Sequence, residues 1–289
     1  MRVFVTGASG FIGSAIVREL VERGHEVDGL ARSDTAAAAV ERAGGTPTRG
    51  DIDELEGLQS AAESADGVIH LAFSNDFSDY AGAVAQDVAA VDAVGAALSG
   101  SGKPFVVTSG TLALAFAPGL GTEDVALDSA VPRMAAENAA IALAASGVRS
   151  SVVRLAPCVH DTTRAGLASP LFEIARATGV SGYVGDGRNR WPGVHRLDAA
   201  HLYCLALESA PASSRLHASD EEGIPFIEIA IAIAQRLGVP VQEVEPSHFG
   251  NIAMTVGLDN PTSSARTREL LGWQPTHAGL LEDLTHYEV

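Results

Sequence analysis

Near the start of the chain, Gly7, Gly10 and Gly13 stand at G-x-x-G-x-x-G spacing within VFVTGASGFIGSAIVREL. The apolar run before them reads as a strand, and the residues after them have the period of an amphipathic helix. Each glycine has its own physical use. The first permits a tight turn, the second lets the backbone approach a pyrophosphate, and the third lets the helix sit close to the sheet, so that the free N–H groups at its start bind the anion. Side chains that could act on a bound ligand include Ser109 and Thr111 in TSGTL, Arg133 in SAVPRMAAENAA, His160 in PCVHD, and the Arg188, Arg190, Trp191 and His195 cluster of GRNRWPGVHR. The only lysine is Lys103, in the SGKPFVV turn, so any step that needs a lysine must use that one.

These residues need a frame to position them, and the sequence predicts one. Short apolar runs (RVFVT, EVDGLA, GVIHLAF, PFVVTS, SSVVRLA) alternate with Ala-rich helical segments (SAIVRELVER, LQSAAESA, YAGAVAQDVAAVDAVGAAL). That βαβα rhythm implies an α/β fold, a doubly wound parallel sheet with helices on both faces. After VRLAPCVHD the rhythm breaks and Gly, Pro and Arg become common. The expected organisation is a dinucleotide-binding domain over residues 1–156, to which 181–210 returns, and a smaller substrate-binding lobe over most of 157–289. The stretch SAVPRMAAENAA, residues 129–140, reads as a helix.

With 289 residues, 46% of them hydrophobic, the chain is long enough for one large core with a smaller lobe built on it. A formal charge of -17 disfavours nucleic acid and anionic membrane as partners, since both require a basic surface. Cys158 and Cys204 lack metal-ligand spacing, so neither a disulfide framework nor a metal site is expected. No apolar run approaches the roughly 20 residues that cross a bilayer, and MRVFVTGASG leads directly from a strand into a motif, which leaves no signal peptide and predicts a cytoplasmic protein.

TGASGFIG resembles the fingerprint of the extended short-chain dehydrogenase/reductase family, of the NAD-dependent epimerase/dehydratase type. Further similar segments follow in order: GDID at Gly50 to Asp53, HLAF at His70 to Phe73, TSG at Thr108 to Gly110, RLAPCVHD, VHRLDAAHLYCLALE and SSARTRELLGWQP. The resemblance spans essentially the whole chain. It implies a cofactor site made by Gly7, Ser9, Gly10, Phe11, Ile12 and Gly13 at the phosphate turn, Asp51 and Ile52 on the adenine side, Leu71, Ala72 and Phe73 after the fourth strand, and Arg133, Pro157, Val159 and His160 at the nicotinamide end. The residue just past the second strand separates NAD from NADP in this fold. An acidic group there holds the ribose 2′-OH, whereas an Arg neutralises a 2′-phosphate. Arg32 and Ser33 occupy that place, so NADP (NADPH) is the expected cofactor, although Asp28 inside the strand competes for the acidic role.

In the family, a Tyr and a Lys four residues later share one helix face and the helix continues x-x-A-E. Aligning Ala136 and Glu137 with that ending places Arg133 at the Lys position and Ser129 at the Tyr position. None of Tyr80, Tyr183, Tyr203 and Tyr287 is followed by Lys at that spacing. A Ser hydroxyl ends about 4 Å short of a phenol oxygen, and an Arg stays charged at neutral pH and gives up no proton.

Three readings stay open. One is an NADPH-dependent reductase of a small or medium apolar carbonyl compound, with Ser109 and Thr111 binding the carbonyl oxygen, Arg133 supplying charge, a water or His160 delivering the proton, and Trp191 and His195 at the substrate. The second is a non-catalytic, redox-sensing NADP(H) binder. The third is an isomerase or enone reductase whose substrate supplies its own acid and base. Structural roles compete throughout: strand capping for Ser109, packing for His160, core for Trp191. The resemblance also allows a homodimer through VAQDVAAVDAVGAAL.

Overall fold

The first strand shows why a parallel sheet forms. In β1 (Arg2–Thr6) every residue after Arg2 is buried, and successive side chains enter different cores, Val3 and Val5 on one face of the sheet and Phe4 on the other. The computed structural model describes residues 1–74, 79–131 and 133–288. Its large sheet continues with β2 (Glu26–Ala31), β3 (Thr46–Arg49), β4 (Gly67–His70), β5 (Pro104–Gly110) and β6 (Arg149–Leu155). A late strand follows β7 (Cys158–Asp161), β8 (Arg164–Ala165), β9 (Ser181–Tyr183) and β10 (Arg190–His195) in the chain, and this β11 (Ser214–Ala218) completes the order β11-β6-β5-β4-β1-β2-β3. All pairings in this sheet are parallel. The order reverses between β1 and β4, which opens a crevice at the C-terminal ends of those two strands.

Helices cover both faces. α1 (Phe11–Glu22) lies with Val3, Val5, Val106 and Val153 in one core. α2 (Asp34–Arg42) follows β2, and α3 (Leu55–Ser64), α4 (Tyr80–Ala97) and α5 (Met134–Ala142) share the other core with Phe4, Phe105, Val107 and Val152. After α6 (Ser169–Thr178), α7 (Arg196–Ser209) returns to the first core, where Tyr203 and Leu207 are fully buried. Each such large apolar side chain removed from water contributes about 1.5–3 kcal/mol. Within 181–210, β9 and β10 belong to smaller sheets, and the return to the large sheet continues through β11.

A third core holds Phe172, Trp191, Phe226, Ile233, Phe249 and Leu284. A sheet ordered β12-β10-β7-β8, with β12 at Glu221–Pro225, and a two-stranded pair of β13 (Val241–Glu243) with β9 frame it. The remaining helices are α8 (Phe226–Leu237), α9 (Ala253–Val256), α10 (Ala265–Leu271) and α11 (Leu280–Thr285). Among the described residues no helix is long and apolar enough to cross a membrane.

One expected element starts late. The helix read over 129–140 begins at Met134, because Arg133 is left-handed (φ 72) and the preceding chain turns through Val131 N–H to Asp128 O at 3.0 Å. Ser129 is exposed in that turn and accepts from Asn138 Nδ2 at 3.0 Å. Pro132 is the signal in the sequence, since proline disfavours helix in the residue before it; it lies outside the described residues.

A buried charge network fastens α5 to the sheet. Arg154 and Glu137, both without exposed side-chain surface, meet at 2.5 and 3.0 Å, and Arg215 Nε reaches the same carboxylate at 2.8 Å. Arg154 also donates to Val125 O and to His217 Nε2, whose other ring nitrogen, Nδ1, donates to Ser263 O. Burial pushes the Glu137 carboxyl up, but the bonds from Arg154 and Arg215 outweigh it and hold the group below its ordinary 4.5. Burial pushes His217 down from 6.5 to about 4, so it folds neutral. Both groups bind fewer protons folded than unfolded, so stability is fully present above pH 6.5 and falls as pH drops, first through His217 and then, below 4.5, through Glu137. Glu137→Gln leaves buried Arg154 without its counter-charge and should cost about 3–5 kcal/mol in urea unfolding at pH 7. A loss under 1 kcal/mol would show that the network is dispensable.

Candidate active site

The strand-to-helix turn after β1 takes its shape from contacts a side chain would prevent. Gly7 is left-handed (φ 69), and a Cβ on it would stand 2.9 Å from Ala72 N. A Cβ on Gly13 would lie 2.1 Å from Gly7 O, so α1 presses directly on the turn. Gly10 caps the helix with ordinary extended dihedrals; a Cβ there would meet only Gly7 O at 3.2 Å and would otherwise project into open space over the helix start. Ser9 and Gly10 are exposed, Phe11 and Ile12 half-buried, and the first turn has neither a capping side chain nor an acidic residue. The N–H groups and the positive end of the dipole are therefore available to an anion beside the switch point. A pyrophosphate fits this cradle.

At the edge of the crevice, Arg32 is exposed and makes no side-chain bond or ion pair among the described residues, while Ser33 caps α2 by accepting from Ala36 N at 3.2 Å. Asp28 is engaged elsewhere, by Arg2 Nε at 2.5 Å, and register places it beside Phe4 and Thr46 rather than at the strand end. Asp51 folds its carboxylate onto Ile52 N at 2.7 Å, and Ile52 is buried.

The floor lies at the ends of β4 and β5. Leu71 and Ala72 both donate N–H to Thr6 Oγ1 at 3.2 Å, so the Thr6 hydroxyl gives its own proton to His70 Nδ1 at 2.7 Å. His70 Nε2 then donates to Asp87 Oδ1 at 3.1 Å. Asp87 is 1% exposed, and among the described residues its Oδ2 accepts no hydrogen bond, with Arg133 Nη1 3.8 Å away. Arg133 turns inward from the start of α5, donates from Nη2 to Thr108 O at 3.1 Å, and lies 3.7 Å over the ring of Phe73. Tyr80, from the start of α4, meets the same Phe73 ring in a T-shaped contact at 6.0 Å. Burial and Asp87 push the Tyr80 phenol up, and Arg133 pulls it down. Beneath them Tyr203 bonds Thr108 Oγ1 at 2.8 Å, its phenol pushed up by full burial.

Among the described residues, the other expected site residues make no side-chain hydrogen bond to this group. Ser109 is buried, beside Glu137, whose charged form its hydroxyl favours, and Oγ completes no well-formed bond. Thr111 has no exposed surface and exchanges bonds with Asn260, which donates to Thr111 O at 2.9 Å. His160 is fully buried on β7 and pairs through Nδ1 with Asp283 at 2.7 Å, away from the crevice, because register on β10 sets it against His195. Pro157 is half-buried, its carbonyl accepting from Leu167 N, and Val159 lies in the core.

Trp191 also has no exposed surface and packs edge-on against Phe226 at 4.9 Å; it is a core residue and walls no cleft. His195 caps α7 through Leu197 N at 3.2 Å and stacks on His277 at 4.6 Å. With Asp198 these two histidines form a cluster of metal-ligand types, but Asp198 already accepts from Thr276 N, His277 N and His277 Nδ1. Tyr80, Asp87 and Asn260 were not singled out by sequence. Motif spacing does not show them, since their partners lie on other elements.

An uncharacterised protein of Schizosaccharomyces pombe is 46% identical over 98% of both chains. A 2-alkyl-3-oxoalkanoate reductase of Stenotrophomonas maltophilia is 29% identical over 83% of this chain and 77% of its own. Among solved structures, a dTDP-glucose 4,6-dehydratase from Streptomyces venezuelae with NAD bound superposes with a TM-score of 0.80 at 20% identity, covering 99% and 97% of the two chains, and so shares the fold. With the family model matched over residues 3–216, the chain belongs to the NAD dependent epimerase/dehydratase family.

Proposed function

We propose that the protein is an NADP(H)-dependent oxidoreductase that reduces the carbonyl of a small or medium apolar substrate. The observation that carries this reading is the open glycine cradle at the start of α1, beside the switch point, with Arg32 free at the end of β2. The first-turn N–H groups would hold the pyrophosphate, Arg32 and Ser33 the 2′-phosphate, and Arg133 the nicotinamide ribose. Asp28, occupied by Arg2, does not compete for the ribose. When bound, the cofactor supplies a hydride. The apolar substrate is supported by exposed Phe116 and Leu120 on the segment after β5 and Met254 on α9, and by the name of the oxoalkanoate reductase to which the chain is similar.

A second reading, an NADP(H) binder without turnover, draws support from the burial of Ser109 and the engagement of Thr111 and His160. The proposal also includes a cytoplasmic location, the division near residue 156 and a homodimer through α4. Trp191 and Trp273 are both fully buried, so the fluorescence of the reduced cofactor itself is the better binding signal.

NADPH should bind more tightly than NADH. Arg32→Ala should weaken NADPH about tenfold and leave NADH unchanged, as expected for loss of one exposed charged contact, while Asp28→Asn should leave the preference as it is. NADH binding better than NADPH in the parent would overturn the cofactor assignment. Gly10→Val, whose dihedrals suit any residue, should preserve the thermal midpoint yet weaken both cofactors by at least about tenfold, because its side chain fills the anion cradle. Unchanged affinity would remove the phosphate from the α1 start. NADPH consumption with a 3-oxo ester and medium-chain ketones separates the reductase from the binder.

A further inference from the structure

Three observations at the ends of β4 and β5 have no structural explanation. Asp87 is a buried carboxylate with one oxygen unbonded by the described residues, an arrangement that costs stability. Arg133 holds a left-handed backbone, uncommon for a non-glycine residue and enriched at functional sites. Its guanidinium has five N–H donors, gives one to Thr108 O, and among the described residues otherwise faces only a carboxylate 3.8 Å away. Phe73 links this cation to a phenol: Arg133 lies over its ring and Tyr80 meets it in a T-shaped contact.

We propose that Tyr80 is the proton donor of the reduction and that Arg133, which packs on the same Phe73 ring, stabilises the phenolate left behind. The proposal rests on the reductase reading. A bound reduced nicotinamide would supply the hydride from its C4–H bond to the carbonyl carbon and would be left oxidised, while the C=O π pair takes the Tyr80 Oη proton, giving an alcohol. The phenolate is stabilised by the positive charge of Arg133 and regains a proton from water. Arg133 supplies charge only, since it releases no proton at neutral pH. Asp87 and His70 are positioning residues: Thr6 fixes the tautomer of His70, His70 orients Asp87, and Asp87 draws the guanidinium inward. With burial and Asp87 raising the phenol and Arg133 lowering it, Tyr80 keeps its proton at neutral pH, as a donor must.

The test compares Tyr80→Phe, Arg133→Met and, as a control in the exposed turn, Ser129→Ala. Cofactor fluorescence gives NADPH affinity, and NADPH consumption with a 3-oxo ester gives kcat. Ultraviolet difference titration of tyrosinate, with Tyr80→Phe as the blank, isolates the ionisation of Tyr80. Tyr80→Phe should lower kcat at least about 100-fold with NADPH affinity within threefold of the parent, while Ser129→Ala keeps parental rates. Arg133→Met should move the Tyr80 ionisation to higher pH. Retention of kcat within threefold in Tyr80→Phe overturns the proposal, as does a Tyr80 ionisation indifferent to Arg133→Met. If the parent binds NADPH but reduces no carbonyl, the reductase reading falls. The titration then decides separately whether Tyr80 and Arg133 are coupled.

Discussion

The close approach of α1 to the ends of β1 and β4 is the constraint on which the site depends. The turn at Gly7 touches the backbone of Ala72, and the helix at Gly13 touches the carbonyl of Gly7. With no room for a Cβ at either place, the helix begins directly over the point where strand order reverses. Thr6, the last residue of β1, then reaches across to bond Leu71 N, Ala72 N and His70 at once. The anion cradle and the polar floor of the crevice are thus two consequences of one packing contact.

Two buried polar networks flank α5, and they differ in how completely they are satisfied. Around Glu137, both carboxylate oxygens, the Arg154 guanidinium and both nitrogens of His217 have partners, and the network joins α5, β6, β11 and the segment around Ser263. Such satisfaction rigidifies a core and leaves nothing for a ligand. Around Asp87 one oxygen accepts no hydrogen bond from the described residues, and the partly exposed Arg133 guanidinium bonds only Thr108 O among them. Unsatisfied buried groups of this kind call for an explanation. Ser109, next to Glu137, likewise has an Oγ without a well-formed bond.

Much of the large sheet was legible because the evidence for it is local. The VFV of β1 and the FVV of β5 are continuous apolar runs, as strands buried on both faces require, and the glycine spacing states the turn outright. The start of α5 was not legible from Ala-rich propensity, because the left-handed Arg133 and the turn at Asp128 override it. Trp191 was ambiguous for a different reason. Its arginine neighbours Arg188 and Arg190 are exposed and paired with Asp186 and Asp259, while Trp191 begins a run of four buried residues on β10 that the glycine and proline within it conceal. Tyr80 was invisible to a search by spacing, since the Phe73 ring that joins it to Arg133 lies on another segment.

The position of Arg133 follows from Glu137. Pairing with Arg154 fixes the rotation and register of α5, so the residue four places earlier must lie at the same end of the sheet whether or not the helix extends that far. Here the helix stops one residue short, and the left-handed link at Arg133 sends its side chain across Phe73 toward Thr108 and Asp87. The turn carrying Ser129 bends outward to solvent, which removes any hydroxyl of α5 from the crevice. The cation therefore stays at the ends of β4 and β5, and the phenol beside it comes from α4, whose first residue is Tyr80. A helix anchored at its Glu but cut short at its start can keep its charge at the site, while the acid must arrive from the neighbouring helix.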